Sequence, residues 1–158
     1  DKNIVIFGNN MKDGTMFGLL KEYRKLEYFK AHPSMKLFYG KSQENYVIFS
    51  VMLVSSVSDD SGYKPYKSYF ANEEDFNTWY TETRSRSIIN TTVKAEYGDD
   101  LLTLVTVAND FDGARLVVMA KKVDDWNAER VDVTAATINS HIKYPKIWYE
   151  NKGVAYPY

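Results

Sequence analysis

Leu101-Leu102-Thr103-Leu104-Val105-Thr106-Val107 runs into a polar loop, Ala108-Asn109-Asp110-Phe111-Asp112-Gly113-Ala114, and returns as Arg115-Leu116-Val117-Val118-Met119-Ala120. The flanks, Leu101 to Val107 and Leu116 to Ala120, are rich in β-branched apolar residues, which suit a pleated surface packed on its faces. With a polar connection between them, the segment reads as a hairpin. That hairpin sets Val107 beside Arg115 at one rim of a sheet. Because side chains alternate along a strand, Thr106 points to the face opposite Val107.

Upstream, Asn3-Ile4-Val5-Ile6-Phe7 is a short apolar run ending at Gly8, the pattern of a strand in a barrel wall. From Thr15 the spacing turns helical: Met16, Leu19, Leu20 and Tyr23 share one face, Leu26 and Phe29 continue it after a break, and His32-Pro33 stops it. Asp13 or Thr15 caps the start, and Gly14 is a turn residue. Met35 to Tyr39 and Tyr46 to Val54 read as strands connected through Gly40 to Asn45. Asp59-Asp60-Ser61-Gly62 is a solvated turn, and Tyr63 to Phe70 is irregular or extended. Asn72-Glu73-Glu74-Asp75 opens a helix that puts Phe76, Trp79, Tyr80 and Thr83 on one face. Beyond Val123 the spacing predicts a turn, a helix from about Val131 to Ile142, and an aromatic tail from Tyr144 to Tyr158. Asn90-Thr91-Thr92 fits a glycosylation acceptor by chance.

The 158 residues suit one domain with a real core. Basic and acidic side chains number 20 and 21, a balance that removes the electrostatic case for nucleic acid or an anionic membrane as partner. There is no cysteine, hence no disulfide, thiolate metal site or cysteine nucleophile within the chain. Two histidines, His32 and His141, do not make a multi-histidine metal centre. No apolar run approaches the ~20 residues of a membrane span and no signal peptide is visible, so a soluble chain is expected.

Two segments together resemble the class B sortases. The first is Phe7-Gly8-Asn9-Asn10-Met11-Lys12-Asp13-Gly14-Thr15-Met16-Phe17; the second is Leu102 to Val107 with Asp110-Phe111-Asp112 and Arg115 after it. In that family the first motif reads Gly-His-x-Met-Lys-Asp-Gly-x-Met-Phe, and the second reads Thr-Leu-x-Thr-Cys with an Arg a short loop later. Asn9 stands at the histidine position and Val107 at the cysteine position, while Arg115 matches the retained arginine. The resemblance implies a sortase-like β-barrel, mainly β with peripheral helices, over about residues 1–123. Residues 124–158 are then a C-terminal extension of unknown role. The N-terminal helices and strands that the family carries before the first motif are not visible, so the expectation is either a fragment, or a partner or oligomer that supplies the missing strands, or a tail that covers the open edge.

In an active member of the family the thiolate attacks a Thr carbonyl of a sorting signal, imidazole protonates the leaving amine, and the guanidinium stabilises the oxyanion or positions the peptide. Val107 has no lone pair, and Asn9 does not titrate near neutral pH. The resemblance therefore implies a degenerate, transpeptidase-inactive protein that binds a sorting-signal peptide or a cell-wall component, extracytoplasmic on a Gram-positive cell surface, with no cofactor. Two alternatives stay open: a genuine sortase B in a form inactivated by engineering or only partial, and a structural or assembly module. For Arg115, holding a peptide carbonyl or carboxylate and bracing the loop through Asp110 or Asp112 are weighed evenly. Tyr63, Tyr66, Tyr69 and Phe70, with Trp79 and Tyr80, lie in the connection that walls the family's substrate groove and are the expected ligand contacts. Thr106 has no positioned base to make it a nucleophile, and His141 reads as a surface histidine.

Overall fold

A computed structural model describes residues 3–10, 17–57 and 62–158. The strands are β1 (Asn3–Phe7), β2 (Ser34–Tyr39), β3 (Ser42–Ser55), β4 (Ile89–Asn90), β5 (Leu101–Val107), β6 (Ala114–Val123) and β7 (Thr137–Ile138). The α-helices are α1 (Leu26–Ala31), α2 (Glu73–Arg86), α3 (Asp125–Glu129) and α4 (Lys146–Lys152), and a 3-10 helix spans Leu20–Arg24. Asp13, Gly14, Thr15 and Met16, read above as cap, turn and core residues, lie outside the described residues, as do Asp59, Asp60 and Ser61.

Five strands form one sheet in the order β1-β5-β6-β3-β2, in which β1 runs parallel to β5 and the other pairs are antiparallel. Both faces of this sheet are covered, which is why β3 from Tyr46 to Val54 and β6 from Leu116 to Ala120 are apolar but for Ser50 rather than alternating with polar residues. One face packs Leu20, Tyr23 and Phe29 with Leu102, Leu116, Val118 and Ala120. The other packs Phe76 and Trp79 of α2, with Tyr63 and Phe70, against Leu101, Val105, Val117 and Met119.

Along β3 the alternation changes phase at a bulge: Ile48 faces Ala120 and Ser50 faces Met119, so the strand carries one residue more than its partner there. Tyr46 and Ile48 before it, and Val51 and Leu53 after it, consequently reach the same core. The Val51 N–H donates to Ser87 Oγ at 3.1 Å and the Val51 carbonyl accepts from the Ile88 N–H at 2.7 Å, joining the segment after α2 to the strand.

The helix expected over Val131 to Ile142 does not form. Asp132 accepts from both the Thr134 N–H, at 3.0 Å, and the Thr134 hydroxyl, a local turn that competes with helical bonding. Thr137–Ile138 pairs with Ile89–Asn90 as a small second sheet, and the Asn139 side chain donates to the Ser87 carbonyl at 2.9 Å. Val133, Ala136 and Ile142 do face the core, but from an irregular path, so their spacing reported burial and not helix. The helices of this region are instead α3 and α4. The strand expected to begin at Tyr46 starts at Ser42, and the β2–β3 connection is the two residues Gly40 and Lys41. Leu19, expected on a buried helix face, is exposed.

α2 forms as read. Asn72 caps it by accepting from the Asp75 N–H at 2.9 Å, its first turn holds Glu73, Glu74 and Asp75, and Phe76, Trp79 and Thr83 are buried. Among the described residues no helix is long and apolar enough to cross a membrane.

Candidate functional site

The parallel pair β1–β5 and the hairpin β5–β6 end at one rim, and their ends make the site. Phe7 lies opposite Val105, and the Gly8 N–H donates to the Val105 carbonyl at 3.0 Å, carrying the pairing one residue past the strand. A Cβ at Gly8 would stand 2.4 Å from the Phe17 ring, so only glycine lets the chain pass there. The Asn9 carbonyl accepts from the Phe17 N–H at 2.9 Å, and Asn10 Nδ2 donates to the Val107 carbonyl at 3.2 Å. These bonds fix Asn9 next to the end of β5.

On the hairpin, Val107 and Arg115 are register partners, as read from the sequence. Beyond them the Ala108 N–H donates to the Ala114 carbonyl at 3.0 Å and the Ala114 N–H to the Phe111 carbonyl at 3.1 Å. Gly113 adopts φ 81, and its carbonyl accepts from the Ser56 N–H at 2.8 Å, so the loop is also tied to the end of β3. Strand alternation leaves Val107 48% exposed, whereas Thr106 is 2% exposed, with its hydroxyl buried and without a partner among the described residues.

Phe7, Gly8, Asn9, Val105, Thr106, Val107 and Arg115 together line a cavity of about 240 Å³. Among the described residues that line it, Arg115 alone carries a formal charge. It is half-buried and donates from Nη1 to the Ala114 carbonyl at 2.9 Å. Asp110, one of the two bracing partners considered for it, is taken by Arg24 of the 3-10 helix, which donates from both terminal nitrogens at 2.8 Å. Those bonds hold the Asp110 carboxyl below its ordinary range and the Arg24 guanidinium above its own. The Asp110 carbonyl in turn accepts from Asn151 Nδ2 of α4 at 3.2 Å. Arg115 and Asp112 make no ion pair among the described residues.

Of the aromatic candidates, Tyr66 reaches this rim. Its ring stands edge-on to Phe7 with centroids 5.4 Å apart; burial pushes its phenol up, and the nearby Arg115 charge opposes that push. Tyr69 is exposed. Tyr63 and Trp79 are core residues whose polar atoms are engaged, the Tyr63 hydroxyl with Thr83 at 2.7 Å and the Trp79 indole N–H with the Lys64 carbonyl at 2.9 Å. Both also border a separate cavity of about 300 Å³ with Lys67 and Glu82. The Tyr80 hydroxyl is held between Arg84 and the Ala95 N–H, and Phe70 is buried against Phe76. The sequence reading passed over Phe7 as a rim residue, although it is 64% exposed; counting alternation outward from Ile4 and Ile6, which face the opposite core, would have found it.

His141 is exposed, with Nδ1 2.8 Å from the Ser140 hydroxyl, and does not border the rim cavity. Among the described residues no group of three or more His, Cys, Asp or Glu could hold a metal ion.

A half-barrel sheet whose parallel strand and terminal hairpin open a cavity at one rim is the sortase-like class of β-barrel. The chain is 30% identical over 125 residues to Sortase B of Listeria monocytogenes, covering 78% of this chain and 49% of that protein. It is 27% identical over 123 residues to Sortase B of Staphylococcus aureus, covering 75% and 48%. The crystal structure of Clostridium perfringens sortase B matches with a TM-score of 0.69 at 33% identity, over 78% of this chain and 67% of that one. No family model matches. This chain belongs to the class B sortase-like family, and it spans about half the length of the curated relatives it matches.

Proposed function

We propose that this chain is a pseudo-transpeptidase: a class B sortase-like protein that holds a sorting-signal-like peptide or a cell-wall component at the rim cavity without cleaving it, outside the cytoplasmic membrane of a Gram-positive bacterium. The observation that carries the reading is the register of Val107 with Arg115, an aliphatic side chain where the resemblance calls for a thiol. An acyl-enzyme needs a nucleophilic lone pair, and Val107 has none. Its proton transfers need a group that titrates near neutrality, and the Asn9 amide does not. Thr106 borders the cavity, but its hydroxyl is buried, and His141 does not border it. Members of a catalytic unit act together, so losing two of them leaves about background rate.

Binding is a separate matter from turnover. The cavity keeps an apolar wall in Phe7, Val105 and Val107, with Tyr66 against Phe7, and one cation in Arg115. That combination suits an extended peptide. The test is an amide NMR titration of the full chain with Asn-Pro-x-Thr peptides, run beside a cleavage assay. Shifts centred on Asn9, Val107 and Arg115 with no product are expected, and turnover by this chain would overturn the reading. A folded Asn9→His, Val107→Cys double variant that cleaves efficiently would favour a genuine sortase B altered by engineering.

A second reading, an assembly module, is favoured by β1 and β2, which among the described residues have one strand neighbour each and expose Phe7, Phe38 and Tyr39. It expects a stable oligomer or partner complex by light scattering, and a monomeric, cooperatively folding sample would sink it.

A further inference from the structure

Arg115 brings its guanidinium to the cavity, and among the described residues one of its five N–H donors is given, to the Ala114 carbonyl. Asp110, in the same loop, is committed to Arg24. The remaining lining residues, Phe7, Gly8, Asn9, Val105, Thr106 and Val107, are uncharged. A thiolate at the end of β5 would set an anion beside the guanidinium. Val107 sets methyl groups there, so the charge of the site is uncompensated among the described residues.

We infer that the rim cavity selects a peptide ending in a free α-carboxylate over the same sequence continuing as, or capped by, a neutral amide. The inference rests on the peptide-binding reading above and narrows its ligand class. A peptide carbonyl offers a guanidinium one neutral acceptor. A carboxylate offers two oxygens in the plane of the fork and a full opposite charge, and such charge-assisted bonds are about twice as strong as neutral ones. Apolar walls on the same cavity lower the local dielectric and widen that gap. The loss of the nucleophile thus changes what the site favours: the acyl carbon of an intact peptide bond has nothing to react with, while the carboxylate that cleavage would leave meets an unneutralised cation.

The experiment compares three peptides against the full chain by fluorescence anisotropy at low and high salt. They are Asn-Pro-Ala-Thr as the free acid, the same peptide as the C-terminal amide, and a version extended by glycine and amidated. The free acid is expected to bind about tenfold tighter than either amide, with the gap closing in Arg115→Gln and shrinking at high salt. Arg115→Lys, which keeps the charge and loses the fork, is expected to retain part of the gap. Equal binding of acid and amides would overturn the carboxylate selection while leaving peptide binding intact. Failure of all three to bind, with a dispersed amide spectrum confirming the fold, would overturn the peptide-binding reading itself.

Discussion

The molecule contains two hairpins built on the same central ladder, and their ends could hardly differ more. The β2–β3 hairpin closes in two residues, Gly40 and Lys41, and leaves Phe38 and Tyr39 exposed, with the Tyr39 hydroxyl donating across the strands to Glu44. The β5–β6 hairpin closes through residues 108–113, buries Phe111, and is held from three directions, by Arg24 and Asn151 on Asp110 and by Ser56 on Gly113. Its longer loop would be the floppier one if length alone decided. The bracing marks it as the end whose geometry matters, and that is the end carrying Val107 and Arg115.

The largest effect should come from β6, which belongs to the second hairpin and pairs with β3 of the first. Leu116, on β6, is 1% exposed and lies opposite both Leu53 and Thr106, so Leu116→Ala should cost about 2–5 kcal/mol in denaturant unfolding and weaken both hairpins together. Loss of only one hairpin's amide protection would show that the two fold independently.

Asp110→Asn comes next, at about 2 kcal/mol, discounted because both partners of the ion pair remain partly open to water. It should raise amide exchange in residues 108–113 while leaving Gly40 and Lys41 unchanged. The same pair sets an acid limit. The Arg24 hydrogen bonds lower the Asp110 carboxyl in the folded chain, so the unfolded chain binds the proton more readily. The contribution is complete above the ordinary carboxylate range near about pH 4 and is lost as pH falls through the lower folded value. Acid titration should shrink the difference between Asp110→Asn and the parent, and a difference that does not shrink as pH falls would refute the assignment.

Gly40→Ala tests the short hairpin. Gly40 sits at φ 58 with open space where a Cβ would go, so the cost is backbone strain alone, about 1 kcal/mol by thermal unfolding. The smallest effect is expected at Phe38→Ala, about 0.5 kcal/mol or less, because the ring is 66% exposed. A larger loss there would mean that the β2 edge is covered in solution, which would sharpen the case for a partner on that edge.

The two hairpins also show what a sequence can reveal. The β-branched runs on either side of Asp110 fixed both strands and the Val107–Arg115 register, because alternation and loop polarity are local signals. The ion pair between Arg24 and Asp110 was not legible: 86 positions separate its ends, and nothing near either residue announces the other. The aromatic candidates divided for a related reason. Tyr63, Trp79 and Tyr80 were assigned to a groove wall by their place in a connection, but an aromatic side chain fills a core as readily as it lines a cavity. Only the packing of α2 on the sheet sends the first two inward and Tyr66 to the rim. In the tail, Val133, Ala136 and Ile142 had helical spacing, and the Asp132 and Asn139 side chains overrode it by bonding to nearby backbone.

The bulge in β3 has a consequence for changes in chain length. Side chains before it and after it are set in two different reading phases, and the extra residue between Ile48 and Ser50 reconciles them. A strand is normally intolerant of losing one residue, since everything downstream turns inside out. Here the omission of Ser50, a small residue whose buried hydroxyl has no partner, would bring both halves into a single phase and leave Val51 and Leu53 on their own side. The same omission two positions later would exchange the contents of the two cores, so β3 carries one tolerant joint in an otherwise unforgiving length.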